Sequence, residues 1–198
     1  MKDFWNNRYT EENSAYGFEP NAFLKENYLK IPKGKILFPA EGEGRNAVFV
    51  ANQGTIVSAF DISIEGKNKA LLLAKKHQTS IDYQVGFLEE LNYSENEFDG
   101  IVLIYSHIPA GIRKDFHLKL LSLLKAEGFV LFEAFSKEQL QFTSGGPKDI
   151  DMLFSEKEIK NEFPDLNFSL LETVEIELSE GQYHQGKASV VRFIGTKK

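Results

Sequence analysis

Short apolar runs separated by amphipathic stretches dominate the middle of the chain. Lys35-Ile36-Leu37-Phe38 is the first run, ending at Pro39-Ala40 and a glycine loop. Ala47, Val48, Val50 and Ala51 then continue a helical stretch that Gly54 stops. Residues 55–60 form the next predicted strand, followed by a helix through Ala70, Leu71, Leu72 and Ala74. Residues 81–85 and 98–104 read as further strands, 112–124 as a helix and 128–135 as another apolar strand. Strands spaced by helical patterns indicate βαβ units and a parallel sheet covered on both faces. The pattern then changes. A helix over 155–163, with Ser155 and Glu158 at capping-box spacing, leads into strands at 168–178 and 188–195, with Glu180-Gly181 as the turn region. No helix fits between these last two, so they form an antiparallel hairpin. The predicted fold is α/β: a Rossmann-like, doubly wound, seven-stranded sheet, mostly parallel and ended by a C-terminal antiparallel hairpin.

The first 30 residues depart from this pattern, mixing polar positions with Phe4, Trp5, Tyr9, Tyr16, Phe18, Phe23 and Tyr28. Pro20 can open a helix over 21–29. Such a segment is either a strut packed on the sheet or a lid over a site. The 198 residues suit one domain, with 1–30 as an N-terminal covering segment and 31–198 as the Rossmann-like core.

Composition adds limits. Hydrophobic residues at 42% and charged residues at 26% suit a packed core. The 17 phenylalanines leave open whether the aromatic excess builds the core, a ligand pocket or both. A net charge of −6, with scattered Lys and Arg, argues against a nucleic-acid partner, which needs a clustered basic face. The absence of cysteine excludes thiolate catalysis, zinc–cysteine sites and disulfides. No apolar run has signal-peptide or membrane-spanning character, so the expectation is a cytoplasmic chain with no membrane partner.

The strongest local signal is Pro39-Ala40-Glu41-Gly42-Glu43-Gly44-Arg45-Asn46-Ala47, between a strand and a helix. Glycines let a ligand approach the backbone, and the helix start offers free N–H groups. Gly42-x-Gly44-x-x-Ala47 fits the dinucleotide fingerprint, and Asp61 follows about 20 residues after it, where an acid accepts ribose hydroxyls. Two glutamates beside the loop would repel a pyrophosphate and suit a ligand carrying an ammonium and a sulfonium.

The segment 36–51 resembles motif I of class I S-adenosylmethionine-dependent methyltransferases, and the whole chain is similar to their tellurite-resistance and thiopurine methyltransferase-like branch. Phe4-Trp5-Asn6-Asn7-Arg8-Tyr9 and Tyr16-Gly17-Phe18-Glu19-Pro20-Asn21 resemble that branch's N-terminal element, which closes over the cofactor. Phe98-Asp99-Gly100-Ile101-Val102, Leu124-Lys125-Ala126-Glu127-Gly128-Phe129, Gly145-Gly146-Pro147 and Gly186-Lys187-Ala188-Ser189-Val190-Val191 resemble later features of the branch. The resemblance implies S-adenosylmethionine as cofactor. Ala40, Glu41 and Gly42, with Asn46 beside them, would line its methionine moiety, and Asp61 would hold the ribose hydroxyls. Ile62 would pack on adenine, Phe87-Leu88 would meet the adenine edge, and Tyr105 would sit beside the methyl group. Trp5, Arg8 and Tyr16 would cover the cofactor, with Arg8 facing its carboxylate. Three positions depart from the family pattern: Phe38 stands where an acid is common, Ala40 replaces the first glycine, and Phe87 replaces an Asp that would take the adenine amino group.

Methyl transfer from a sulfonium needs alignment and exclusion of water, and a base only where the acceptor holds its proton tightly. His107, after the fourth strand, is the candidate catalytic base or substrate contact, set against a packing role. His184 reads as an exposed hairpin residue, and His77 and His117 as ordinary surface or dipole-complementing residues. The four histidines show no metal-ligand spacing. Gly145-Gly146-Pro147-Lys148 is either a mobile substrate loop or a plain connection. The expected activity is methyl transfer to a small-molecule acceptor by a monomer or homodimer. An NAD(P)-dependent oxidoreductase and a catalytically silent nucleoside-binding module are the alternatives.

Overall fold

The computed structural model describes residues 1–11 and 13–198. The chain begins with α1 (Lys2–Tyr9) and α2 (Ala22–Asn27), the latter capped by the Asn21 side chain, which accepts from Leu24 N–H. It then alternates through β1 (Lys35–Pro39), α3 (Arg45–Ala51), β2 (Ile56–Asp61), α4 (Ile64–Lys76), β3 (Asp82–Val85), β4 (Phe98–Ile104), α5 (Ala110–Leu123) and β5 (Leu124–Phe135). α6 (Glu156–Glu162), β6 (Leu166–Glu180) and β7 (His184–Lys197) complete the chain.

The strands form one seven-stranded sheet in the order β3-β2-β1-β4-β5-β7-β6. β1 to β5 pair in parallel, and β7 lies antiparallel to both β5 and β6. This is the mostly parallel sheet with a terminal hairpin that the apolar pattern predicts. The hairpin strands run well beyond the expected 168–178 and 188–195. Their extensions alternate one buried with one exposed face, so they lack the continuous apolar run by which the central strands are read.

Both faces of the sheet are covered. Ile36 and Phe38 point into a cluster with Val48, Val57, Ala70 and Leu73, under α3 and α4. Leu37, one residue out of phase, points into the opposite cluster with Phe116, Leu120 and Phe132, under α5. Phe38 is therefore a core residue, fully buried. Much of the phenylalanine excess is core: Phe132 stacks on Phe193 at 4.9 Å, and Phe163 meets the same ring edge-on at 5.1 Å. Turns fall where the sequence places them. Gly54 ends the α3 region at φ +85°, and Ser155 caps α6 by accepting from Glu158 N–H at 3.4 Å while its hydroxyl donates to the Glu158 carboxylate at 2.6 Å. The connection between the helix expected to end at 124 and the strand expected to start at 128 lies inside β5 as an irregularity: Leu124 pairs with Phe98, Phe129 pairs with Gly100, and Glu127 between them has φ +60°.

Two histidine expectations need correction. His117 is fully buried, with Nδ1 2.8 Å from the Glu162 carboxylate and its ring stacked on Phe163. His184 is 5% exposed, and its ring packs against Tyr16, Tyr105 and Phe135. In both cases the covering rings come from distant segments that a local reading does not see.

Candidate active site

The carboxyl ends of β1, β2, β4 and β5 open into a cavity of about 730 Å³ that α1 walls from above. Crevices at these strand ends are where doubly wound sheets bind ligands, because the loops diverge there and helix starts point inward. Trp5, Arg8, Tyr16, Ala40, Glu41, Asn46, Asp61, Ile62, Phe87, Leu88, Tyr105 and His107 all line it. Gly42 does not. Its N–H donates to Asp61 Oδ2 at 3.1 Å, its carbonyl accepts from the Tyr83 hydroxyl at 2.6 Å, and a side chain there would lie 2.5 Å from the Tyr9 hydroxyl. Gly42 shapes the loop from behind.

The loop brings its carboxylates to different ends. Glu41 reaches forward over the start of α3, where Oε1 accepts the N–H groups of Asn46 at 3.0 Å and Ala47 at 2.7 Å. Glu43 turns away from the cavity. It accepts from Ser14 and from the Ala15 N–H, and pairs with Lys69 at 2.9 Å, so it ties down the N-terminal segment. Of the two glutamates expected beside a ligand, Glu41 alone lines the cavity. Ala40 has φ +50°, a left-handed conformation that accounts for glycine being the easier residue there. Gly44 at φ +85° lies so close to α4 that an added Cβ would sit 2.5 Å from Ala70 Cβ.

Asp61 ends β2 nearly buried, accepting from Gly42 N–H and, through Oδ1, from Ser63 N–H at 2.8 Å. Burial pushes its carboxyl up to about 6, against the pull of those backbone donors. Burial likewise pushes Glu41 up to about 7, opposed by Ala47, Arg45 and Asn46. Two carboxyls held this far from water favour positive charge or hydroxyl donors beside them. Over them, Tyr9 is buried against Gly42 and Gly66, and Trp5 stacks on Tyr9 at 5.5 Å. Ser63 hydroxyl donates to Asn6 at 2.7 Å, fixing α1 to the start of α4. The Arg8 guanidinium sits 3.7 Å over the Tyr183 ring. The N-terminal segment thus packs as a strut and also forms one wall of the cavity.

The far half of the cavity is apolar and aromatic. Tyr105 stacks on Phe135 at 4.8 Å, and His107 stacks on the same ring at 5.6 Å. Ile108, Pro109, Ile112 and Met152 extend this wall, and the Gly145–Lys148 segment borders it. Burial, together with nearby His184 and Arg113, holds the His107 imidazole down to about 4, against its bond to the Met152 carbonyl. It is neutral near pH 7 and a weak base there.

Several contributors had no clear sequence signal. Tyr9, Phe135, Met152, Tyr183 and His184 line the cavity from segments far from the glycine loop. Glu133 sits within the apolar run of β5, fully buried, accepting from Asn21 at 2.7 Å and from the Tyr105 hydroxyl at 3.1 Å, with Arg192 at 3.2 Å. It anchors Tyr105 from behind. A carboxylate interrupting an otherwise apolar strand was the available signal.

No family model and no curated protein matches the sequence. Solved structures match over the whole fold. One, described by the conversion of a disulfide bond into a thioacetal group during echinomycin biosynthesis, superimposes with a TM-score of 0.82 at 11% identity, over 100% of this chain and 92% of its own. TehB from Haemophilus influenzae gives 0.72 at 17% identity, over 100% of this chain and 67% of its own. Magnesium protoporphyrin IX methyltransferase (ChlM) from Synechocystis PCC 6803, with bound SAH, gives 0.65 at 13% identity, over 89% and 80%. Several further matches are S-adenosylmethionine-dependent methyltransferases. The fold is that of the S-adenosylmethionine-dependent methyltransferases. No helix among the described residues is long and apolar enough to cross a membrane, and no group of acidic or histidine side chains among them could hold a metal ion.

Proposed function

We propose that this chain is an S-adenosylmethionine-dependent methyltransferase acting on a small-molecule acceptor, related in its N-terminal cover and glycine loop to the branch that includes TehB. The observation that carries this reading is Glu41. Its carboxylate already takes the second and third N–H groups of α3, which a dinucleotide's pyrophosphate would need, and it adds negative charge where phosphates would lie. The same carboxylate, with Asp61 behind it, suits an ammonium and ribose hydroxyls. The residues present therefore fit S-adenosylmethionine and not a nicotinamide dinucleotide.

Within this reading, Glu41, Ala40 and Asn46 hold the amino-acid end, and Arg8 above them faces its carboxylate. Asp61 accepts the ribose hydroxyls with lone pairs left over from its two backbone bonds. Ile62, Phe87 and Leu88 enclose adenine, with Phe87 at the place of the Asp that would take its amino group. Bound S-adenosylmethionine would supply a sulfonium methyl group to a nucleophile lying in line with it. Tyr105, held by Glu133, shapes the place where acceptor and methyl meet, and α1 keeps water out. His107 contacts the acceptor. The acidic balance and the apolar far half favour a small organic acceptor over nucleic acid.

Thermal unfolding with added ligand tests this cheaply. S-adenosylhomocysteine should raise the melting temperature in step with the logarithm of its concentration above the dissociation constant, and NADH should leave it unchanged. Stabilisation by NADH alone would overturn the proposal.

A further inference from the structure

His107 and Arg113 lie on opposite sides of one short segment, and that segment couples them. His107 Nδ1 is 2.9 Å from the Met152 carbonyl oxygen. A carbonyl only accepts, so Nδ1 carries the proton and Nε2 presents a bare lone pair. Nε2 is buried and has no hydrogen-bond partner among the described residues. A buried acceptor left without a donor costs free energy, so an N–H or O–H that reaches Nε2 gains a hydrogen bond the described residues do not supply.

The direction of the Met152 carbonyl is set by its neighbours. Arg113 donates through one terminal nitrogen to the Asp151 carbonyl at 3.0 Å and to the Leu153 carbonyl at 3.1 Å, the peptides on either side. Arg113 is itself 3% exposed, and its other nitrogens grip the Glu162 carboxylate at 2.8–3.1 Å. Its guanidinium lies 4.4 Å over the Phe154 ring, and Glu162 is held in turn by His117. With the flanking carbonyls turned towards Arg113, the Met152 carbonyl faces the other way, onto His107. A lysine could not replace this fork, which binds two carbonyls and a carboxylate at once.

We propose that this clamp makes His107 Nε2 the specificity-determining contact for an uncharged, largely apolar acceptor that offers it one N–H or O–H donor. The inference rests on the methyltransferase reading of the cavity. Arg113 acts through Met152 and is a positioning residue. The charged groups nearest this wall carry opposite signs and sit at its border, on one sequence-adjacent segment. These are Lys148 and Asp149; Asp149 accepts from Asp151 N–H, and Arg113 is satisfied by Glu162 and two carbonyls. An anion would meet the bare lone pair of Nε2, and a cation there would gain nothing from an imidazole held neutral. The low proton affinity of the buried imidazole keeps it an acceptor near neutrality.

The test has two readouts. Nitrogen-15 shifts of the histidine side chains, measured on the ligand-free protein, should show His107 neutral at pH 7 with the proton on Nδ1. A proton on Nε2, or an imidazolium, overturns the proposal. The second readout uses protein saturated with S-adenosylhomocysteine and three probes: indole with its N–H, the isosteric benzofuran without a donor, and indole-3-carboxylate, which keeps the N–H and adds an anionic group. Indole should bind about tenfold more tightly than benzofuran, the worth of one buried hydrogen bond, and His107→Ala should remove that preference. Equal binding of indole and benzofuran, strongest binding of the carboxylate, or no binding of indole overturns it. Folded Arg113→Lys should shift the His107 tautomer and reduce the preference, and if both stay unchanged Arg113 is not a positioning residue. Failure to bind S-adenosylhomocysteine at all contradicts the methyltransferase reading instead, and leaves the tautomer measurement to decide on the clamp.

Discussion

In the half of the cavity around Glu41 and Asp61 the floor comes from one continuous stretch, residues 40–62, with α1 laid over it, whereas the half around His107 is gathered from His107, Phe135, Met152 and His184. The first half is polar and bound to its own backbone: Glu41 caps α3, and Asp61 holds the loop through Gly42 and the start of α4 through Ser63. The second is apolar and aromatic, and among the described residues that line it His107 Nε2 is a buried polar atom without a partner. Local hydrogen bonding specifies the first site, and tertiary packing specifies the second. The ligand end that is common to a fold can be encoded in a short motif, while the end that varies from one acceptor to another is left to distant loops.

The sharpest way to break the comparison is to damage one half alone. Arg113→Met removes the cationic partner of buried Glu162 and should cost about 3 kcal/mol of stability in urea unfolding, because the carboxylate is left with its His117 contact alone. S-adenosylhomocysteine affinity of the folded fraction should stay within about twofold of wild type, since Arg113 touches nothing in the Glu41 half. Loss of cofactor-product binding in that variant would show that the halves are not independent.

Gly44→Ala strikes the other half. An alanine there must hold φ +85° and push its Cβ into Ala70, so stability should fall by about 2 kcal/mol or more, with S-adenosylhomocysteine binding lost. Calorimetric titration after a folding check by circular dichroism reads both.

Acid titration separates the halves by sign. Glu41, raised to about 7 in the folded chain, contributes stability that is fully present below its unfolded value and is lost as pH rises through 7. His107, lowered to about 4, does the reverse: its contribution is lost as pH falls from its ordinary value of 6.5 towards 4. Relative to wild type, Glu41→Gln should therefore gain stability as pH rises from 4.5 to 7, by at most about 1.4 kcal/mol per pH unit. His107→Gln should gain as pH falls across its own window. Melting temperatures of the two variants against wild type, taken between pH 4 and 8, check both slopes. The smallest expected effect belongs to Phe87, which is 46% exposed at the adenine edge. Phe87→Ala should weaken S-adenosylhomocysteine by roughly threefold or less, the worth of a half-exposed ring contact.

The same division explains what the sequence disclosed. Strand and helix order, the β7–β6 hairpin and the loop-plus-Asp61 pair are legible because their signals are local: apolar runs, a glycine at a left-handed turn, an acid at a strand end. The role of Glu43 was not. Its position in the loop says nothing of Ser14, Ala15 and Lys69, which draw it away from the cavity. His117 and His184 look like surface residues because neither helix nor hairpin context shows the rings of Phe163, Tyr105 and Phe135 that enclose them. His107 was found from its place after the fourth strand, but its neutral, acceptor character depends on Met152, which lies 45 residues away in the chain.

The most direct test of the central claim is calorimetric titration of S-adenosylhomocysteine into wild type and Asp61→Ala. The account predicts micromolar binding to wild type, weakened about tenfold or more by the substitution, or roughly 1.4 kcal/mol. No binding to wild type, or equal binding to both proteins, would contradict it.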